Sequence, residues 1–249
     1  MKSQKVSWGG LSAQVVHDLT AGESPSLAVV LCHGYGAPAT DLVGLAQPIL
    51  TSGKSNGHKP VLIFPAAPLD LAGQGIPGGR AWWPVDLDRL INRRTPELLA
   101  EFKSSCPPGL PEARTMLVHL LDEAAKHCDL RADQFVLGGF SQGAMITTDV
   151  ALRLKKCPAG LCALSGALIN EAEWQRLAAE RGSLRVLQSH GRYDSILPFS
   201  LGTALRELLQ NAGSNVEFMD FEGDHEIPLE ILHRLVWFIA ESMDPHRAI

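Results

Sequence analysis

The chain has no cluster of basic residues. The pairs Arg93-Arg94 and Lys155-Lys156 are its longest basic runs, and its net charge is −5. Nucleic-acid phosphates and anionic membrane surfaces are therefore poor partners. No apolar stretch is long enough to cross a bilayer, and the opening MKSQKVSWGGLSAQ lacks the apolar core of a signal peptide. Paired cysteines are missing as well. Cys32, Cys106, Cys128, Cys157 and Cys162 are odd in number and have no C-x-x-C spacing, which argues against a disulfide framework. Without H-E-x-x-H or paired cysteines a zinc site is not expected either. These absences together point to a reduced, cytoplasmic protein with no metal or cofactor, no nucleic-acid partner and no integral membrane association.

What is present is the balance of an ordinary globular chain, with 45% apolar and 20% charged residues in 249. That length suits a single large α/β domain. SLAVVLCH (26–33) and VLIF (61–64) are near-continuous apolar runs, the mark of strands buried on both faces. Residues 11–17, LSAQVVH, are expected as an edge strand. From Ala113 onward helical and strand patterns alternate: ARTMLVHLLDEAAKHC, FVLGGF, AMITTDVALRLKK, LCALSG, EAEWQRLAAE, RVLQSHG, LGTALRELLQNA, VEFMDF and LEILHRLVWFIAESM. That alternation predicts a mostly parallel, doubly wound sheet with helices on both faces, whose active groups collect at the carboxyl ends of strands. Residues 69–111 break the pattern with turn-rich, aromatic and proline-rich pieces and one short helix. Loops this long in a compact domain are usually lids or binding loops; a surface insertion covering the sheet edge is the plainer reading.

The chain is organised around FVLGGFSQG (135–143). An apolar strand runs into Gly139-Phe140-Ser141-Gln142-Gly143 and a helical pattern follows. G-x-S-x-G alone is a weak signal. Between a strand and a helix it describes a sharp turn that projects a serine hydroxyl, with glycines where a Cβ would crowd the backbone.

A serine hydroxyl needs a base to become a nucleophile, and the base needs a carboxylate to orient it. In sheets with this turn the chain order is Ser, then Asp or Glu, then His, each after a later strand. Asp194, after RVLQSHGRY, and His225, after VEFMDFEGD, satisfy that order. Asp194 could equally be a turn or N-cap aspartate, and His225 an exposed loop imidazole. Asp220 and Asp224 are rival carboxylates. Asp220 lies within the last strand, and Asp224 adjoins His225, from which its side chain should diverge. His119, His127 and His233 sit in helical patterns, His17 and His58 are remote, and His33 and His190 read as groups that shape their turns. The developing oxyanion requires donors, for which the backbone N–H groups of Gln142 and of Tyr35, in HGYG, are the candidates. HGYG reads otherwise as a simple tight turn.

These residues resemble the phospholipase/carboxylesterase family of α/β-hydrolases, which includes acyl-protein thioesterases and small bacterial carboxylesterases. VLCHGYG, IFPAAP, GGRAWW, DQFVLGGFSQGA, ALSG, SHGRYDSILPFSLG and GDHEIP stand in family order and span most of the chain from Leu27 onward. The resemblance implies an α/β-hydrolase fold over residues 1–249 with a lid-like insertion at about 69–111. It implies a Ser141–His225–Asp194 triad and oxyanion N–H groups from Tyr35 and Gln142. It also implies an acyl pocket near Gly78 to Trp83, walled by Trp82 and Trp83, whose other reading is ordinary core packing. Ala144 replaces a second glycine of many relatives. Asp86 to Pro111 is longer and more charged than the usual lid, so relatives' chain preference does not transfer. No cysteine adjoins Met1, and N-terminal palmitoylation is not expected.

Two functions follow. One is a serine hydrolase acting on a small-molecule or acyl ester, or an acyl thioester. The other is a non-catalytic binder or sensor of acyl or hydrophobic ligands on the same fold. Covalent labelling of Ser141 separates them.

Overall fold

A computed structural model describes residues 1–55, 57–92 and 95–243. The chain enters the sheet through two strands joined by a tight turn, β1 (Lys2–Trp8) and β2 (Leu11–His17), paired antiparallel. β2 alternates buried and half-buried residues and pairs antiparallel with β4 (Pro60–Pro65) on its other side. The edge expected at residues 11–17 is therefore one strand further out, in β1. KSQKVSW is mostly exposed and carries two lysines, so it lacks the apolar alternation that marks a strand in sequence. The same lysines discourage pairing with a further strand.

The middle of the sheet follows the apolar runs. β3 (Leu27–Cys32) and β4 are buried at every residue, and so is the later β8 (Gly160–Leu164). With β7 (Phe135–Phe140), β9 (Arg185–Gly191) and β10 (Asn215–Phe221) they complete an eight-stranded sheet of order β1-β2-β4-β3-β7-β8-β9-β10. All pairings from β4 to β10 are parallel. Alternate residues of β3 serve two cores, because successive side chains of a strand point to opposite faces. Ala28, Val30 and Cys32 face the core under α4 (Leu110–Cys128), α5 (Gln142–Arg153), α6 (Glu171–Arg181) and α7 (Phe199–Asn211). Leu27, Val29 and Leu31 face the core under α1 (Ala46–Ser55) and α8 (Leu229–Ser242). This is the α/β-hydrolase fold, a large and mostly parallel sheet with helices on both faces. Among the described residues no helix is long and apolar enough to cross a membrane.

The segment between β4 and α4 is more regular than its sequence indicates. It contains a two-stranded ladder of β5 (Leu69–Asp70) and β6 (Arg80–Ala81), then α2 (Leu87–Asn92) and α3 (Pro96–Ser104). α3 begins with Pro at its first position and Thr95 Oγ1 accepting from the Leu98 N–H at 3.2 Å, a standard N-cap. Arg89 joins α2 to α3 through Glu101 at 2.8 Å, and Lys103 joins α3 to α6 through Glu171 at 2.9 Å. At 51% and 58% exposure the Arg89–Glu101 pair orients the helices and contributes little stability.

α5 is the most deeply set helix. Its buried Asp149 is paired with Arg153 at 3.2 Å and Arg114 at 3.4 Å, and accepts from Trp174 Nε1 at 2.8 Å. A buried carboxylate is tolerated only with such partners. They tie α5, which begins at the G-x-S-x-G turn, to α4 and α6.

Candidate active site

Ser141 stands between β7 and α5 with φ 56° and ψ −120°, a region that residues with a Cβ rarely adopt. The Ser141 N–H donates to Leu164 O on β8 at 2.9 Å, and its carbonyl accepts from Ala144 and Met145 at 3.0 and 3.2 Å. The strained residue is thus held by the sheet on one side and by the helix on the other. Gly143 is where the turn meets its neighbour, since a Cβ there would sit 2.0 Å from Cys32 O at the end of β3. Gly143→Ala is expected to destabilise the protein by more than about 3 kcal/mol, because backbone, not a movable side chain, occupies the space. A urea midpoint matching wild type would contradict this.

Asp194 and His225 come together from the loops after β9 and β10. His225 Nδ1 donates to Asp194 Oδ2 at 2.7 Å, while Asp194 Oδ1 accepts from the N–H groups of Ile196 (2.9 Å) and Leu197 (2.6 Å). Asp194 is 4% exposed. Burial disfavours its charge, but hydrogen bonds from His190 and His225 outweigh it and hold the carboxyl well below the usual range. The second imidazole is a feature the sequence does not reveal. His190 is buried, with Nε2 2.8 Å from Leu197 O and 3.3 Å from Asp194 Oδ2, so the N–H sits on Nε2. His225 in turn lies against Phe140, with ring centroids 4.7 Å apart, which puts it beside the residue preceding Ser141. Among the described residues the Ser141 hydroxyl makes no hydrogen bond; catalytic contacts of this kind commonly tighten only with substrate bound.

The rival carboxylates are engaged elsewhere. Asp220 pairs with Arg192. Asp224 accepts from Ser195 and from the backbone N–H of His225, away from the imidazole. His33 acts as a structural group: its Nδ1–H donates to Gly34 O at 2.8 Å, and its Nε2 accepts from the Ala67 N–H at 3.1 Å. Burial lowers its pKa and keeps the ring neutral, as both bonds require.

Tyr35, Ser141 and Gln142 line one narrow cavity. Gln142 is the first residue of α5, so its N–H has no partner within the helix. Among the described residues the Tyr35 N–H donates to no protein acceptor, and its loop is fixed by Gly36 N–H to Arg80 O (2.9 Å) and Arg80 N–H to Ala37 O (3.1 Å). The cavity shares Trp83, Val85, Leu90, Phe102 and Pro107 with an adjoining one of about 230 Å³ under α2 and α3. The serine's cavity and the one within the insertion are therefore neighbours with a common, mainly apolar wall.

Comparison with known proteins gives the family. The family model described as phospholipase/carboxylesterase matches residues 19–243. The chain belongs to the phospholipase/carboxylesterase family. The matched span holds the serine turn, both loops and the insertion. Acyl-protein thioesterase 1 of Candida albicans is 26% identical over 245 residues, covering 94% of this chain and 100% of that one. Acyl-protein thioesterase 1 of Neurospora crassa is 33% identical over 116 residues, or 45% of this chain, and the match spans about half (47%) of that relative's length. The crystal structure of esterase PE8 superposes with a TM-score of 0.73 at 28% identity, covering 93% of this chain and 98% of that chain.

Within this family frame the two tryptophans part company. Trp83 lines the cavity. Trp82 does not: it is 1% exposed, and its Nε1 donates to His33 O at 3.0 Å. The Gln142 side chain joins them, accepting from the Trp82 N–H and donating to Trp83 O, both at 2.8 Å. Residues 82, 83 and 142 thus form one rigid unit, which a sequence separation of 60 conceals.

Proposed function

We propose that this family member is a serine hydrolase that cleaves carboxylic esters or acyl thioesters through Ser141, His225 and Asp194. The observation that carries this reading is the strained Ser141 at the mouth of an apolar cavity, with a carboxylate-bound imidazole packed on the preceding residue. Strain at a non-glycine residue is retained where it has a use.

His225 Nδ1 faces a carboxylate and carries the proton, so Nε2 has the free lone pair and serves as the base. It takes the Ser141 proton as Oγ attacks the carbonyl carbon. The tetrahedral oxyanion is met by the Tyr35 and Gln142 N–H groups, each worth about 2.7–4 kcal/mol of transition-state stabilisation. The imidazolium then protonates the leaving oxygen or sulfur, and acyl-Ser141 remains. A water attacks it with His225 again as base, and the carboxylic acid leaves. The chemistry calls for no metal or cofactor. The five free thiols suit a reducing compartment such as the cytoplasm, and the substrates of this reading are small or acyl esters.

A fluorophosphonate probe tests the proposal. It is expected to label the native protein stoichiometrically, with the adduct on the peptide carrying Ser141. Absence of labelling in folded protein would favour a binder on the same fold. The acyl end is assigned to the cavity under α2 and α3, where half-buried Leu98 lines the far part. Leu98→Trp is expected to leave p-nitrophenyl acetate hydrolysis unchanged and to cut kcat/KM for a decanoate ester at least about tenfold, since each excluded methylene forfeits about 1–3 kcal/mol. Equal effects on both esters would place the chain elsewhere.

A further inference from the structure

The loops that carry the acid and the base are joined side by side beyond the ends of their strands. β9 and β10 stay in parallel register to Gly191 and Phe221. The ladder then continues through Arg192 N–H to Phe221 O at 2.9 Å and Tyr193 N–H to Gly223 O at 3.0 Å. Gly191 permits this approach, because a Cβ there would lie 2.2 Å from Asp224 O. The ladder ends in a side chain. Asp224 Oδ1 accepts from the Ser195 N–H at 2.6 Å and the His225 N–H at 2.8 Å, and Oδ2 accepts from the Ser195 hydroxyl at 2.9 Å.

Ser195 directly follows the acid and His225 directly follows Asp224, so this one carboxylate connects the neighbours of both members of the pair. We propose that Asp224 is a positioning residue that staples the acid loop to the base loop and fixes His225 Nδ1 on Asp194. Its role in turnover rests on the functional reading above; its role in holding the imidazole does not. Backbone and hydroxyl donors from Ser195 keep the carboxylate ionised, holding it below the ordinary range. Beyond Gly223 the Asp224 carboxylate reinforces the His225–Asp194 bond between the two loops, and Ser165 Oγ, donating to Glu226 O at 3.3 Å, ties the base loop to the end of β8. Among the described residues the His225 imidazole is oriented by Asp194 Oδ2 and the Phe140 ring.

The staple makes Asn and Ala distinguishable. In Asp224→Asn the amide oxygen still accepts from both N–H groups, and the amide nitrogen donates to the Ser195 oxygen. In Asp224→Ala all three bonds are lost, yet the exposed position leaves no cavity. The test combines two readouts on the full chain. The first is the downfield proton resonance of the His225 Nδ1–H, assigned by its loss in His225→Gln. The second is steady-state hydrolysis of p-nitrophenyl acetate. Asp224→Ala is expected to broaden or remove the resonance well below the unfolding temperature. It is also expected to lower kcat by about 10–100-fold, the usual cost of a misplaced catalytic group, with KM within about twofold. Asp224→Asn is expected to keep the resonance and to stay within about threefold of wild-type kcat. Ser195→Ala, which removes one bond of three, should show a smaller loss in the same direction.

A sharp, unshifted resonance and wild-type kcat in Asp224→Ala would overturn the proposal. So would an Asn variant as impaired as the Ala one, since that would make the charge, not the staple, responsible. If Ser141→Ala leaves turnover intact, the functional reading falls, and the resonance alone still decides whether Asp224 holds the imidazole.

Discussion

Ser141→Ala is expected to abolish ester hydrolysis, with kcat falling on the order of 10⁶-fold as in other serine triads, while the thermal midpoint stays within about 1–2 °C of wild type. The two halves have separate causes. The hydroxyl makes no hydrogen bond among the described residues and the side chain is 8% exposed, so its removal leaves little unpaired or empty. Alanine carries the same Cβ at φ 56° and relieves none of the strain. Ser141→Gly provides the contrast. It is equally inactive, but glycine adopts this conformation freely, so release of about 1–3 kcal/mol of strain outweighs the about 0.4–1 kcal/mol of added unfolded-state entropy. The glycine variant should melt higher than the alanine one. Calorimetry on the three proteins with p-nitrophenyl acetate assays checks both claims. Residual turnover above a hundredth of wild type in Ser141→Ala would remove this residue from the mechanism.

The contrast between alanine and glycine also shows which features can be read from residue order. FVLGGFSQGA exposes its own geometry because strand, turn and helix are encoded by adjacent residues. The apolar runs of β3 and β4 reveal themselves for the same reason: burial on both faces leaves no polar position to interrupt them. β1 escapes notice because an edge strand with one wet face and lysines along it has no apolar signature. In the insertion, proline clusters hide two short helices, of which α3 is marked by its Thr95 cap and first-turn proline rather than by apolar periodicity. The site divides in the same way. Ser141, Asp194 and His225 can be named from chain order and strand ends. The Gln142 bridge to residues 82 and 83, the His190 contact and the Asp224 bond to Ser195 depend on side-chain directions between distant segments. Trp82 and Trp83 are alike in sequence. Both lie in a bend just past β6, where the Trp82 indole is fixed on His33 O and, of the two, Trp83 reaches the cavity.

Asp194→Asn is expected to fold and to lose about 10⁴-fold in kcat, the loss that a wrong imidazole tautomer produces. The direction of the side chain can be derived. Two backbone donors, Ile196 and Leu197, require an oxygen where Oδ1 now stands, so the new amide nitrogen must face His225. It donates to Nδ1, the imidazole proton moves to Nε2, and the lone pair needed for the Ser141 proton is gone. His190 keeps its bond to Leu197 O, so the loop does not come apart. The same substitution should change the acid limb of stability. The folded-state pKa of Asp194 is depressed, so ionisation stabilises the fold in full above the unfolded value of about 3.9. That contribution drains away as pH falls from there toward the depressed folded value. Wild type should therefore lose stability below about pH 4 more steeply than Asp194→Asn, measured as urea midpoints from pH 2.5 to 7. Parallel curves would mean that the His190 and His225 bonds do not hold the carboxylate ionised. Unchanged turnover in the asparagine variant would mean that the imidazole takes its tautomer from another partner.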